Sequence, residues 1–363
     1  MSSKKKLKFH RYIGIIVGLF IAIIAFTGSV LVFAEEINSF SYPQIHQIVP
    51  QSNSLSLQKI TDIVSQNYRE EKLHYIKLPF SPQDAYQVVL KANEVKKSIY
   101  INPYNGQQLA IIDNNSYLKI IQQIHTNFLA GDFGELFVGI CGILLVVRAI
   151  NGLTLWSGWK RLSAGFTIRF KARNKHLVNY DFHQFIGVIS VIFLIFAGIT
   201  GSMMDFKKPI GILGYTVSGI PQPEKVLSTP RNTSNKLTLD YFVEQANLAL
   251  PDGKPTIIIP PSTDKAPVIV RKRLAGDLNK NGKSYIYLDQ YSGEVLKVKN
   301  ILNSPWIDKL LAILYPLHIG SYGNSVLLFI YLLFGLVPAF LFVTGLAIFW
   351  NKTYAARFRK KSK

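Results

Sequence analysis

Phe9-His10-Arg11-Tyr12-Ile13-Gly14 returns later in the chain as Phe182-His183-Gln184-Phe185-Ile186-Gly187, and that echo decides the fold. Seventeen residues beyond each His stands the same tripeptide, Thr27-Gly28-Ser29 and Thr200-Gly201-Ser202, so an offset of 173 holds along a whole apolar run. A second pair of segments repeats at an offset of 193: His125 lies 27 residues before Gly152, and His318 lies 27 before Gly345. Self-similarity held over such lengths marks a tandem duplication. The larger second offset places an insertion in the second copy.

Each copy contains two runs long enough to cross a hydrocarbon layer of about 30 Å at about 1.5 Å per helical residue. The four are residues 13–33, 133–156, 185–204 and 326–350. The expected architecture is a membrane protein, a four-transmembrane-helix bundle built from the duplication, with two α+β domains outside it. The formal charge of +20 would point to nucleic acid in a soluble protein, but its distribution excludes that partner. Lys4, Lys5, Lys6, Lys8 and Arg11 precede the first run. Lys160, Arg161, Arg169, Lys171, Arg173 and Lys175 fill the loop between the second and third, and Lys352, Arg357, Arg359, Lys360, Lys361 and Lys363 follow the fourth. All three segments fall on one side of a four-span protein in a lipid bilayer, and the excess of positive charge makes that side cytoplasmic, with both termini.

The N-terminus resembles a secretory signal, yet its apolar run is long for one and is repeated inside the chain, so an uncleaved anchor is expected. The expected organisation is a first span with its cytoplasmic N-terminus (1–34), an outer domain (35–116), an interfacial helix and second span (117–156) and a cytoplasmic loop (157–182). The third span (183–204), a second outer domain (205–302), an interfacial helix and fourth span (303–350) and a cytoplasmic tail (351–363) complete it.

The outer stretches share an order of elements. In the first, residues 55–68 have helical apolar spacing and are followed by strand-like runs at 73–80, 86–91 and 98–102. In the second the helix is 237–250 and the strands are 256–260, 267–273 and 284–289. Both third strands end in similar turns, Asn102-Pro103-Tyr104-Asn105-Gly106 and Asp289-Gln290-Tyr291-Ser292-Gly293, and Asn279-Lys280-Asn281-Gly282 adds hairpin length to the second copy. Residues 117–130 and 306–317 read as amphipathic interfacial helices that each deliver a matched histidine to the outer boundary. Cys141, the one cysteine, excludes disulfides and covalent haem attachment.

This order of span, helix-plus-sheet domain and span, repeated with His at the span entrances, resembles the PepSY-associated transmembrane proteins, a family that includes iron-regulated inner-membrane proteins and siderophore reductases. The resemblance covers nearly the whole chain. It implies PepSY-like outer domains, a place in the bacterial inner membrane and a role in iron reduction.

Four of the seven histidines occupy equivalent places in the two copies. His10 and His183 stand at the cytoplasmic ends of odd-numbered spans, and His125 and His318 at the outer ends of even-numbered ones. Pseudo-two-fold symmetry lets each pair face across the axis. Two imidazoles without Cys, Asp or Glu make an incomplete shell for zinc or non-haem iron, whereas haem needs only two axial ligands. Together with the resemblance, this points to two non-covalent b-type haems with His10, His183, His125 and His318 as the axial ligands of their iron. Gly14 and Gly187, one turn beyond their histidines, either clear space for a porphyrin face or serve close helix packing. His176, seven residues before His183, is a rival cytoplasmic ligand. His46 and His74, in the first outer domain, have no counterparts in the second. Arg148, a cation inside a span where the second copy has Leu341, either pairs with a haem propionate or snorkels to the surface. Arg271 and Arg273 share a strand face that either docks an anionic iron chelate or is simply solvated.

No dinucleotide fingerprint, phosphate loop or His-Glu-x-x-His stands in the chain, so its electron donor is a separate molecule on the cytoplasmic side or in the membrane. The expected function is a dihaem b-type transmembrane electron-transfer protein that reduces a ferric siderophore or other ferric chelate in the periplasm, an oxidoreductase without chemical acid or base. The alternative is a non-enzymatic anchor whose outer domains bind or regulate peptides or peptidases. A small transporter, suggested by duplication alone, lacks broken helices and a midplane polar site other than Arg148. The topology is tested with reporter fusions: alkaline phosphatase fused after Lys363 is expected to be inactive, and activity there overturns the cytoplasmic C-terminus.

Overall fold

The computed structural model describes residues 3–92, 95–113, 116–171, 174–231 and 237–361, so Arg173 and Lys363 of the basic segments lie outside the described residues. In chain order the elements are α1 (Ser3–Ile16), α2 (Gly18–Leu31), α3 (Ala34–Ser41), α4 (Leu57–Asn67), β1 (Lys72–Lys77), β2 (Tyr86–Ala92), β3 (Val95–Ile101), β4 (Gln108–Ile112) and α5 (Tyr117–Asn127). Then follow α6 (Gly131–Thr154), α7 (Leu162–Phe166), α8 (Lys175–Asp205), α9 (Lys207–Val217), α10 (Leu239–Ala249), β5 (Lys254–Ile259), β6 (Val268–Arg273), β7 (Ser284–Leu288), β8 (Val295–Lys299), α11 (Trp306–Ile319) and α12 (Ser325–Lys361). They divide into a helical unit (1–33, 121–210, 317–363) and a sheet unit (34–120, 211–316).

In the helical unit α6, α8 and α12 are each long and apolar enough to cross a membrane. The expected first span is not one straight helix. α1 and α2 qualify only together and meet at a bend of 58° around Val17. The break falls between Gly14 and Gly18, two poor helix formers whose missing side chains admit a neighbour: a Cβ on Gly18 would lie 2.7 Å from the Phe342 ring. α8 begins ten residues before the expected third span, its first turn capped by Asn174, whose side chain accepts from the His176 backbone N–H. The duplication is visible in the packing. A Cβ on Gly142 would come 2.3 Å from Ser202 Oγ, and one on Gly335 would come 2.5 Å from Ser29 Oγ. These are the same contact twice, because Gly142 and Gly335 differ by 193 and Ser29 and Ser202 by 173. Small residues let α6 approach α8, and α12 approach α2, with no aqueous hydrophobic drive to hold them.

The sheet unit departs from the expectation of two separate outer domains. Each copy supplies one helix and four strands, but the strands form one antiparallel sheet in the order β4-β3-β2-β1-β5-β6-β7-β8. The joint is the pairing of Ile76 with Ile258 and of Lys77 with Ile257. Half a sheet would leave these apolar first strands as exposed edges over a core too small to be comfortably stable; pairing removes both edges and merges the cores. One cluster accordingly contains Ile60, Ile76 and Val88 from one copy and Phe242, Ile258 and Ile286 from the other. The helices are joined as well: Asp240 in α10 accepts from the backbone N–H groups of Leu57 (2.7 Å) and Gln58 (2.8 Å) at the start of α4. The fourth strand of each copy, β4 and β8, follows the glycine turns at Gly106 (φ 73°) and Gly293 (φ 74°) and was not expected from the sequence pattern. Nor were α3 and α9, which are short segments beyond the ends of the apolar runs.

Lys272 is the least expected member of this core, with 0% exposure. Its ammonium donates to the Leu250 carbonyl (2.7 Å) and to Asn247 Oδ1 (2.7 Å), so it closes the C-terminal end of α10. Burial pushes it down to about 8 from an ordinary 10.5. Below pH 8 the proton is held in both folded and unfolded chains; between about 8 and 10.5 only the unfolded chain holds it, so stability rises with pH across that window. Lys272→Met is expected to remove this rise and to cost about 1–3 kcal/mol at neutral pH by leaving carbonyls unpaired. Chemical unfolding of the detergent-purified protein at several pH values measures both effects.

Candidate functional site

The helical unit brings the four repeated histidines together in two pairs. The rings of His10 (α1) and His183 (α8) have centroids 6.3 Å apart at an interplanar angle of 84°. Those of His125 (α5) and His318 (α11) are 6.2 Å apart at 44°. A metal–imidazole bond of about 2.1 Å, plus about 1.1 Å from nitrogen to ring centre, puts two axial imidazoles of one metal about 6.4 Å apart. Both pairs have that separation. His183 and Gly201, the latter packed on His318, stand 18 residues apart on α8, which separates the pairs by about 27 Å.

The hydrogen bonds fix which nitrogen is free. His183 Nδ1 lies 2.8 Å from Thr344 Oγ1, whose own proton goes to the Phe340 carbonyl at 2.9 Å. The hydroxyl can therefore only accept, and Nδ1 carries the hydrogen. His318 repeats this with Thr200 Oγ1 (2.8 Å), which donates to the Phe196 carbonyl (2.8 Å). His125 Nδ1 donates to the Ile24 carbonyl at 2.8 Å, with Thr27 Oγ1 at 3.5 Å. Each of these imidazoles is left with a bare Nε2 lone pair, as a metal-binding histidine requires. His10 Nδ1 and Asn151 Oδ1 lie near one another but outside hydrogen-bond geometry, both buried.

Each histidine also rests on a glycine. A Cβ would come 2.6 Å from the His125 ring at Gly28, 3.2 Å from His318 at Gly201, 3.2 Å from His10 at Gly152 and 3.3 Å from His183 at Gly345. In every case the residue before that glycine is polar: Thr27, Thr200, Asn151 and Thr344. A polar–Gly dipeptide on a helix thus lies at the seat of every paired histidine: the glycine lets the ring lie against the backbone, and at His183 and His318 the threonine accepts from Nδ1. These seats are residues that sequence reasoning missed. The signal was present, because Thr27-Gly28 and Thr200-Gly201 repeat at one offset, Asn151-Gly152 and Thr344-Gly345 at the other.

Around the His10/His183 pair the helices leave a cavity of about 1390 Å³ including its open mouth, lined by Arg148, Gln184, Leu341 and Phe342 among others. Gly14 and Gly187 line it too but seat no histidine. A Cβ on Gly14 would meet the Arg148 guanidinium at 3.0 Å, and one on Gly187 would meet Leu341 at 3.8 Å. Arg148 Nε and Gln184 Oε1 are buried without hydrogen-bond partners. An apolar slot bearing an unsatisfied guanidinium donor and two neighbouring imidazoles suits a flat, largely apolar ligand with acidic substituents. Among the described residues no group of three or more His, Cys, Asp or Glu is placed to share a metal ion.

The remaining expected residues have other partners. Arg271 does not present a free guanidinium: it donates to the Gly282 carbonyl (2.6 Å) and to Asn279 Oδ1 (3.1 Å), clamping the β6–β7 hairpin. Arg273 is exposed at the end of β6. His46 is tied to Asp84 at 3.0 Å, and the His74 ring packs beside Tyr75. His176 stands in the first turn of α8, two turns from His183.

The seats are testable. Gly28→Val is expected to displace His125 from its seat and, if the two haems expected from the sequence are bound, to lower the count in pyridine haemochrome spectra from two per chain to one. Thr200→Val, which leaves His318 Nδ1 unpaired, is expected to weaken retention at that pair by about 10–100-fold. Gly211→Ala, where a Cβ would meet only Leu311 at 3.5 Å, serves as control and should change neither.

No curated protein matches the chain. The family described as the PepSY-associated TM region matches residues 7–352, a stretch that contains all four histidines and all four of their seats. The chain therefore belongs to the PepSY-associated transmembrane family.

Proposed function

We propose that this protein is a dihaem b-type electron-transfer protein of the bacterial inner membrane that reduces a ferric siderophore or other ferric chelate in the periplasm. The observation that carries this reading is the pair of facing imidazole couples, 6.3 and 6.2 Å between centroids, with three of the four Nδ1 atoms tied. Haem b, when bound, would supply reversible one-electron chemistry. His10 and His183 would hold one group and His125 and His318 the other. Arg148 offers its guanidinium to the carboxylates of the first.

With the basic segments inside, the expected orientation would set the His10/His183 pair at the cytoplasmic side, within reach of a donor in the cytoplasm or the membrane, and the His125/His318 pair at the periplasmic side. Each iron(III) takes one electron. The hard oxygen donors usual in siderophores favour iron(III) over iron(II), so reduction loosens the chelate and releases the metal.

A second reading, the peptide-binding anchor, has one observation in its favour. The sheet ends in strand β8, whose Val295, Leu296 and Val298 are more than a third exposed, an edge that an extended peptide could pair with. Lys297 and Lys299 on the same strand are the kind of charges that guard an edge against such pairing.

Purified protein decides between them. The expected result is a red preparation with two haems per chain, one lost on alanine substitution of any of His10, His183, His125 or His318. Anaerobically reduced protein mixed with ferric chelates should reoxidise as iron(II) is trapped in equal amount. Unaltered haem content in all four variants removes the ligand assignment, and reduced haems left untouched by iron(III) chelates remove the substrate.

A further inference from the structure

The two copies contribute one histidine each to both centres, so differences between the centres arise only where the copies diverge or where the ends of the bundle differ. Arg148 is a charged divergence inside a span beside a histidine seat; Arg11, where the second copy has Gln184, is another on the same cavity. Arg148 lies one turn before Gly152, the seat of His10, on the same face of α6, and its guanidinium packs against Gly14, one turn after His10. Its counterpart Leu341 lines the same cavity. Among the described residues that cavity is lined by Arg11, Arg148 and Lys352 and by no Asp or Glu. The groups that touch His125 and His318 are neutral: the Ile24 carbonyl, Thr27 and Thr200.

We propose that Arg148 is a potential-setting residue that holds the His10/His183 centre at a higher reduction potential than the His125/His318 centre. The proposal rests on the dihaem reading. Reduction lowers the charge of an iron centre by one, so a fixed cation held in a poorly polarisable slot stabilises the reduced form. A guanidinium that pairs with the group's own carboxylates acts in the same direction, since it cancels negative charge that would oppose the incoming electron. Arg148 Nε, buried and without a hydrogen-bond partner, is the donor left free for that contact.

Spectroelectrochemical titration of the detergent-purified holoprotein is the test. Wild type is expected to titrate in two one-electron waves, and His183→Ala to remove the higher one. Arg148→Gln should shift that wave alone downward by about 59 mV or more, a tenfold change in the reduced-to-oxidised ratio at fixed potential. Arg148→Lys, which keeps the charge, should retain most of it. Loss of the lower wave in His183→Ala overturns the proposal whether or not the Arg148 variants accumulate. So does an Arg148→Gln titration in which neither wave moves while both haems remain. A wild-type protein without haem would instead overturn the dihaem reading itself, and this proposal with it.

Discussion

Everything in the helical unit depends on seating an imidazole inside an apolar bundle in one protonation state and one orientation. An unpaired ring nitrogen costs free energy in that setting, and a side chain at the point of contact would push the ring away. At His183 and His318 the Thr-Gly dipeptide answers both demands within two residues. Thr200 and Thr344 spend their own protons on the helix carbonyl one turn back, which turns each hydroxyl into an obligate acceptor for the histidine. The glycine that follows lets the ring reach that acceptor. The third residue of Thr27-Gly28-Ser29 and of Thr200-Gly201-Ser202 packs against a glycine of the other copy, so the tripeptide builds the seat and the interface between copies at once.

Much of this was legible in the sequence because the duplication prints it twice. The pairing of His10 with His183, and of His125 with His318, follows from two offsets and the alternation of spans. The seats were less legible. Thr-Gly is common in membrane helices, and Gly14 and Gly187 stood closer in sequence to their histidines, yet a histidine on one helix is seated by residues on another, which spacing along a single helix does not reveal. The break at Val17 was hidden for a similar reason, since Gly14 and Gly18 are spaced as packing glycines usually are. In the sheet unit the order of helix and strands was clear, but the pairing of Ile76 with Ile258 joins residues 182 positions apart and no local pattern announces it. The basic strand β6 misled most, because alternation correctly separated Lys272 from Arg271 and Arg273 but could not show that Lys272 caps a helix and Arg271 clamps a hairpin.

Duplication also explains why asymmetry appears where it does. A centre on the pseudo-two-fold axis would be chemically balanced if the copies were identical. Two substitutions, Asn151 for the Thr at 344 and Arg148 for the Leu at 341, both fall beside the His10/His183 pair, on α6 and one turn or less from the seat of His10. The orienting groups of the other pair have stayed Thr in both copies. Among the four seats, the change of orienting residue falls at the His10/His183 pair.

On the proposed reading, an electron travels about 27 Å along the membrane normal, most of a hydrocarbon layer of about 30 Å. A charge moved across the whole membrane exchanges about 2.3 kcal/mol per 100 mV of transmembrane potential. With the interior negative, an electron moving outward gains most of that amount. A cytoplasmic centre poised above its periplasmic partner can therefore still deliver electrons outward in an energised membrane, while retaining them when the field collapses. On that reading a cation placed by one copy and withheld by the other would tie the direction of transfer to the state of the membrane, with no gate or moving part required.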